Sequence, residues 1–198
     1  MMNTTVLQAM IAKQYIKVQK HPDKALYIYN YTPKAQYDRV WNEWTLACRG
    51  LIMEETGKVV ARPFEKFFNL GEMESQVIPD EPFEVYEKMD GSLGILYWSE
   101  GMPYMASRGS FDSDQALKAN EMLQRQYKAA LGKLNPAHTY LFEIIYPENR
   151  IVVDYGTTEA LVLLGIVETS TGKELPLEDI GFPLVQRYDG LKDLEQLT

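Results

Sequence analysis

Short runs rich in β-branched and aromatic residues, broken again and again by tight-turn signals, constrain this chain more than any other feature. Such runs occupy residues 25–31, 45–53, 58–61, 83–89, 93–98 and 103–107. Glu55-Thr56-Gly57, Asp90-Gly91 and Glu100-Gly101 separate several of them, and turn chemistry of that kind favours antiparallel hairpins. The period then changes. Ala116, Ala119, Leu123, Tyr127, Ala130 and Leu134 share one helical face, with Ser113 or Asp114 as cap and Gly132 near the end, so a long helix is expected over 113–134. Leu7, Met10, Ile11, Tyr15 and Val18 predict a helix at the start, capped by Asn3, Thr4 and Thr5. Three more strands are expected at 139–145, 150–154 and 160–168, followed by short helical stretches near Leu177 and Leu191. The class is α+β, mainly antiparallel sheets with flanking helices.

With 198 residues and 45% hydrophobic content, the chain can close one substantial core, which argues against disorder. We expect a single domain over 1–198. No apolar run approaches the roughly 18 to 20 residues of a membrane-spanning helix, and the first ten residues lack the pattern of a secretory signal. Cys48 is the only cysteine, so neither a disulfide framework nor a thiolate metal site is possible, and a cytoplasmic setting (a host's cytoplasm if the source is viral) is expected. A net charge of −8 speaks against a purely electrostatic polyanion binder. The charge is uneven, however. Residues 1–66 carry 10 basic against 6 acidic side chains, residues 67–150 carry 7 against 13, and residues 151–198 carry 3 against 9. A phosphate-facing surface should draw on the first third.

The chemistry concentrates in Glu87-Lys88-Met89-Asp90-Gly91-Ser92. Strand alternation would put Lys88 and Asp90 on one face, and Gly91 would permit a sharp turn. Alone, Lys-x-Asp-Gly is short enough to be a surface strand entering a hairpin. It has ordered company: Ala47-Cys48-Arg49-Gly50-Leu51-Ile52-Met53 and Arg62-Pro63-Phe64-Glu65-Lys66-Phe67-Phe68-Asn69 upstream, Ser107-Arg108-Gly109-Ser110 and Leu141-Phe142-Glu143-Ile144-Ile145-Tyr146-Pro147 downstream.

In that order, from about Ala47 to about Val167, these segments resemble the RNA ligase 1 family, the single-strand RNA ligases of T-even phages and their relatives. That family lies within the covalent nucleotidyltransferase superfamily. Lys-x-Asp-Gly is shared with DNA ligases and capping enzymes, whereas Arg-Pro-Phe-Glu-Lys-Phe-Phe-Asn points to this branch. The resemblance implies a nucleotidyltransferase (adenylation) fold and a three-step reaction: lysine attacks the α-phosphate of ATP, AMP passes to an RNA 5′-phosphate, and an RNA 3′-hydroxyl displaces AMP. It implies Lys88 as nucleophile. A lysine of ordinary pKa, near 10.4, is protonated at neutral pH, so neighbouring cations or a divalent ion would have to activate it. Asp90 would oppose that, since a carboxylate stabilises ammonium.

By the same resemblance, Arg49 and Lys66 hold ATP phosphates, Glu87 belongs to the nucleotide site, and Glu143 contacts the AMP ribose and helps organise Mg2+ or Mn2+. Asp90 acts through the metal or in the later RNA steps. Tyr155 matches an aromatic that stacks on adenine, and Arg108, where the family has lysine, is a possible RNA or phosphate contact. Residue-level alternatives stay open: an ion pair for Arg49, a snorkelling lysine for Lys66, an exposed strand carboxylate for Glu143 and a core ring for Tyr155. Phe64, Phe67 and Phe68 read as core rather than base-stacking.

Two expected strands are not found, a Glu-Gly-hydrophobic-Val strand that binds metal and a Lys-x-Lys strand on the α-phosphate. The resemblance thus implies a domain incomplete at its C-terminal end, completed by a missing segment or a second chain. RNA ends, including those of a nicked tRNA, are the implied partners. A nucleotide- or RNA-binding fragment without catalysis, or another covalent nucleotidyltransferase of DNA ligase or capping type, are the alternatives. Gly165 with Gly172-Lys173 is no P-loop, because the spacing is wrong and Glu174 replaces the magnesium-binding hydroxyl. His21 and His138 have no ligand-like spacing, so zinc is not expected. Cys48 adjoins Arg49, which could lower its pKa, but a small strand residue is the commoner reading.

Overall fold

The computed structural model describes residues 4–69, 71–72 and 82–188. The first helix, α1 (Thr4–Ala12), is shorter than its apolar spacing suggests. Gln14 takes a positive φ of 63°, which ends the helix, and the chain turns into β1 (Ile16–Lys20). Ile16 and Val18 therefore serve a strand of period two, a pattern that a three- and four-residue spacing can mimic over so few positions. β1 pairs antiparallel with β2 (Leu26–Tyr31), Ile16 opposite Tyr31 and Lys20 opposite Tyr27.

Two one-turn helices follow, α2 (Pro33–Tyr37) and α3 (Glu43–Ala47). The second replaces the start of a strand expected over 45–53. Asn42 accepts from the amides of Trp44 and Thr45 while Thr45 Oγ1 accepts from the Asn42 amide at 2.8 Å. That reciprocal cap satisfies donors that would otherwise be orphaned and overrides the β propensity of Trp44 and Thr45. β3 (Arg49–Glu54) and β4 (Val59–Ala61) complete a four-stranded sheet of order β1-β2-β3-β4.

After β5 (Val85–Tyr86), the strands β6 (Ser92–Ser99), β7 (Met102–Ser107), β8 (His138–Ile145), β9 (Ala160–Glu168) and β10 (Glu174–Leu175) form a five-stranded sheet ordered β10-β9-β8-β6-β7. Among the described residues β11 (Arg187–Tyr188) pairs only with β5. The expected helix over 113–134 divides into α4 (Asp114–Arg125), capped by Ser113, and a 3-10 turn at Lys128–Lys133. Tyr127 lies between them. Its ring stacks on Phe182 at 4.6 Å and its hydroxyl accepts from the Leu161 amide at 3.1 Å, contacts that draw it off the helical path.

The sheets pack face to face, Ile28, Ile52 and Ala61 of one against Ile95, Tyr97, Leu141 and Val167 of the other. The outer face of the four-stranded sheet is covered by Leu7 of α1 and Trp44 of α3. Ala119, Met122 and Leu123 of α4 cover the other sheet at Phe142, Ile144 and Leu161. Each large apolar side chain removed from water in these layers contributes about 1.5–3 kcal/mol before entropy is counted. Phe142 and Ile144 point toward α4 and are fully buried; Glu143, between them, consequently points toward the opposite sheet.

Two expectations fail near the site. Residues 150–154 form no strand; a 3-10 turn (Pro147–Asn149) leads into a loop in which Ile151, Val152 and Val153 are 60%, 75% and 45% exposed. No helix forms near Leu177, and the stretch near Leu191 lies outside the described residues. Among the described residues no helix is long and apolar enough to cross a membrane.

Candidate active site

A cleft of about 800 Å³ opens beside the two sheets, and Lys88 stands in its wall with Arg49, Arg108, Glu143, Glu87 and Asp90. These residues come from separate parts of the chain: Arg49 begins β3, Arg108 follows β7, Glu143 lies on β8, and Lys88 sits in the crossing from β5 to β6. Lys88 is exposed. Among the described residues no hydrogen bond or ion pair engages its ammonium.

The stretch from Glu87 to Asp90 is not a strand, although the Glu87 amide continues the β5–β11 ladder by donating to Gln186 O at 2.8 Å. Gly91 is needed for close approach rather than for a turn. A Cβ there would stand 2.6 Å from Ile144 O and 2.7 Å from Ile145 Cδ1. That proximity brings the Gly91 amide to Glu143, whose Oε1 accepts from it at 2.7 Å. Burial pushes the Glu143 carboxyl above its usual range, opposed by the Gly91 amide and by the charges of Lys88 and Arg49.

Asp90 is tied in the other direction. Its Oδ2 accepts from the amides of Val152 and Val153, both at 2.7 Å, and its own amide donates to Tyr155 Oη at 3.0 Å. The two amides of the loop hold its carboxyl below the usual range. Ser92, next along, donates to Asn149 Oδ1 at 3.1 Å, and Asn149 donates to Ile144 O at 3.0 Å. The segment after Lys88 is thus fastened to β8 and to the loop beyond it.

On the far wall, Arg49 is half-buried with its guanidinium 4.9 Å from the Phe67 ring centroid, and Arg108 lies 4.7 Å from that of Tyr31. Burial, then the like charge of Arg108, lower the pKa of Arg49. An anion between the two guanidiniums would relieve that repulsion. Gly50 lets β3 come this close, with φ at +102° and a virtual Cβ only 2.3 Å from Ile95 Cδ1.

Two expected site residues stand elsewhere. Tyr155 does not line this cleft: its hydroxyl holds the Asp90 amide and its ring packs on the Ile145, Val162 and Val185 cluster. Lys66 lines an adjoining pocket of about 890 Å³ that shares Phe64 and Phe67 with the cleft. Its Nζ donates to Phe67 O and lies 4.2 Å from the Phe68 centroid, the arrangement of a snorkelling lysine on an aromatic segment. Phe67, read from sequence as core, is 62% exposed. Ile151 and Gln115 line the cleft without any sequence signal having marked them.

A divalent ion of the magnesium type takes hard oxygen donors and is commonly held by one or two carboxylates plus substrate phosphates. Glu143 supplies one such donor, because its Oε2 accepts no hydrogen bond among the described residues while Oε1 is held by Gly91. No group of three or more His, Cys, Asp or Glu side chains gathers among the described residues. A single carboxylate of this kind suits an ion shared with a phosphate-bearing substrate.

Comparison with known proteins decides the family. The T4-type model described as RNA ligase matches residues 47–181, which includes Arg49, Lys88, Arg108 and Glu143. The chain belongs to the RNA ligase 1 family. It is similar to a putative RNA ligase of Thermovibrio ammonificans, 32% identical over 187 residues, covering 91% of this chain and 48% of that protein. An RNA ligase of Rhodothermus phage RM378 is 27% identical over 183 residues, covering 71% of this chain and 41% of the phage protein. The chain thus spans about half the length, or less, of these relatives. Among solved structures, a putative ATP-dependent DNA ligase from Aquifex aeolicus superposes with a TM-score of 0.53 at 14% identity, over 93% of this chain and 50% of that one. That likeness is one of fold: the RNA ligase 1 family member shares with the ligase an α+β architecture of antiparallel sheets with flanking helices.

Proposed function

We propose that this chain carries the adenylation site of an ATP-dependent RNA ligase, with Lys88 as the nucleophile. In the first step Lys88 Nζ attacks the α-phosphate of ATP. A P–N bond forms, the P–O bond to the leaving group breaks, a proton leaves Nζ, and pyrophosphate departs with the electron pair. An oxygen of an RNA 5′-phosphate then attacks the lysine-linked phosphorus: a 5′–5′ P–O–P link forms, the P–N bond breaks, and the Lys88 amine leaves with a proton taken from solvent. An RNA 3′-hydroxyl displaces AMP and seals the strand.

Arg49 and Arg108 are suited to the phosphates, since two half-buried guanidiniums stabilise charge that grows on the leaving group and cost no reorganisation when it does. Lys66 would reach the β and γ end only by leaving its contact with Phe67 O. Glu87 lies against the nucleotide through the cleft wall, and Glu143 fits the ribose or a divalent ion. Mg2+ or Mn2+, when bound, supplies charge neutralisation at the phosphates, and Glu143 is the residue that would hold it. Asp90 orders the loop at 151–153, and any part in the later RNA steps would run through that contact. Substrate RNA, a nicked tRNA among the possibilities, and ATP are the partners of this reading, with the cytoplasm, a host's if the source is viral, as its setting.

The observation that carries the proposal is the convergence of Lys88, Arg49, Arg108 and Glu143 on one cleft from four separate places in the chain. Intact-mass analysis after incubation with ATP and Mg2+ or Mn2+ tests it. The expected result is an AMP adduct mapped to Lys88, absent with GTP and absent in Lys88→Ala. Nucleotide binding without an adduct under either metal, in this chain and in any longer natural form, would overturn the reading in favour of a binding module. A GMP adduct would favour a capping-type enzyme.

A further inference from the structure

Arg108 lies over Tyr31, and the Tyr31 ring meets Trp41 edge to face with centroids 5.3 Å apart. Trp41 meets Phe68 in the same manner, again at 5.3 Å, and Lys66 Nζ lies over Phe68. The three rings form a continuous strip with a cation at each end. One end is the cleft wall, since Arg108 lines the cleft and the Tyr31 side chain is close enough to support the charge of Arg49. The rings come from separate parts of the chain: Tyr31 ends β2, Trp41 precedes α3, and Phe68 follows β4. None of them is buried, and among the described residues none packs on the clusters that make the core. Phe68, expected from sequence to be core, is instead a partly exposed ring. Closing the two sheets does not account for this strip, whose alternation of flat apolar faces and cations suits a partner that is itself flat and anionic by turns.

Resting on the reading of the cleft as an adenylation site, we propose that Tyr31, Trp41 and Phe68 seat the first nucleotides of the RNA strand whose 5′-phosphate receives AMP. In-line displacement decides which of the two RNA strands lies here. Lys88 enters opposite the departing pyrophosphate, so the group that later expels Lys88 must approach from the side that pyrophosphate has left. That side is the wall of Arg49 and Arg108, and the strip starts there. The 5′-phosphate takes the place of the pyrophosphate, and the bases that follow it meet the rings. Stacking of this kind accepts any base, because every base has a π-face. The strip therefore holds the strand without reading its sequence.

Equilibrium binding of single-stranded RNA to the Lys88→Ala protein, where no covalent step intervenes, tests the strip. This parent should bind a 5′-phosphorylated, 3′-blocked strand about tenfold more tightly than its 5′-hydroxyl counterpart, with affinity climbing up to about four nucleotides and then levelling. Tripolyphosphate should compete with the phosphorylated strand, because both need Arg49 and Arg108. Trp41→Ala should weaken the phosphorylated strand about tenfold and the hydroxyl strand less than about threefold. Trp41→Phe, which keeps a stacking face, should stay within about threefold of the parent yet lose most of the tryptophan quenching that RNA causes in it. Leu117→Ala, at an exposed site on α4, serves as control. Unchanged RNA affinity in Trp41→Ala, or no quenching in the parent, overturns the strip as an RNA site in favour of a protein partner. Equal losses for the two strands overturn the assignment to the 5′-phosphate strand. Both results leave Lys88 adenylation standing, whereas failure of the unsubstituted chain to form an AMP adduct overturns the adenylation reading and the strip's place in it, even where RNA binds.

Discussion

The amide of Gly91 donates a 2.7 Å hydrogen bond to Glu143 Oε1, so the segment that carries Lys88 and the acid on β8 are held as one unit. That bond lowers the carboxyl pKa, yet burial outweighs it together with the attraction of Lys88 and Arg49, and the net shift is upward from the ordinary 4.5. A carboxyl with a raised folded-state pKa favours folding below its unfolded pKa, and that advantage disappears as pH rises through the folded value. At neutral pH the ionised group is a liability to the fold. Glu143→Gln, which can still accept from Gly91, should raise the Tm at pH 7, and the gain should shrink to nothing as the pH falls below about 4.5. Circular dichroism melts across that range measure it. The same variant should form AMP adduct more slowly, since the carboxylate charge is gone; a lower Tm at pH 7 would contradict the sign.

Gly91 itself is irreplaceable on steric grounds. A methyl group at its Cα would meet Ile144 O at 2.6 Å and Ile145 Cδ1 at 2.7 Å, and a backbone carbonyl has little room to yield. Gly91→Ala should cost about 1–3 kcal/mol of unfolding free energy, the usual range for overpacking. Gly132→Ala, where nothing lies within 4 Å of the virtual Cβ, should stay within about 0.5 kcal/mol. Urea denaturation of both variants at neutral pH checks the contrast.

Much of this architecture was legible in the sequence because local signals and tertiary demands agree there. β6, β7, β8 and β9 lie within one residue of their expected bounds at each end, since each is a β-rich run bounded by turns. The ordered motifs grouped Lys88, Arg49, Arg108 and Glu143, and those residues do line one cleft. Misreadings arose where one pattern admits two structures. Val18 fits a helical face and a strand equally well. Ile151-Val152-Val153 has the composition of a strand, but Asp90, 62 residues before Val152, takes the amides of Val152 and Val153 that a neighbouring strand would need. Tyr155 and Lys66 illustrate a further limit: a motif gives an order of residue types, and the direction of a side chain depends on contacts such as Tyr155 with the Asp90 amide.

Arg49 and Arg108 lead to a third expectation. Burial and mutual repulsion both disfavour the charge on Arg49, so an anion that bridges the pair should be bound by the folded protein and not by the unfolded chain. Tripolyphosphate should therefore raise the Tm by an amount that grows with the logarithm of its concentration. Arg49→Met should abolish most of that rise, and added salt should reduce it in the parent. Thermal melts at several tripolyphosphate and salt concentrations measure both. A rise of equal size in parent and variant would remove Arg49 from the phosphate site.

Cys48 and Arg49 are adjacent in sequence, and the cation could have made the thiol reactive. The fold separates them in environment. Cys48 is fully buried at the end of α3, packed with Leu51, Met53 and Trp44, while Arg49 reaches the cleft. Burial pushes the thiol up to about 12, with no opposing contribution from the arginine. A thiolate forms near 9 in the unfolded chain, so the buried thiol favours folding below that pH, and the advantage is lost as pH rises toward 12. At neutral pH, alkylation of Cys48 should wait for opening and be slowed, relative to the unfolded chain, in proportion to the population of the open state. Iodoacetamide labelling followed by mass spectrometry, with and without urea, reads this out. Rapid labelling in native buffer would show that the α3–β3 junction opens far more readily than its packing implies.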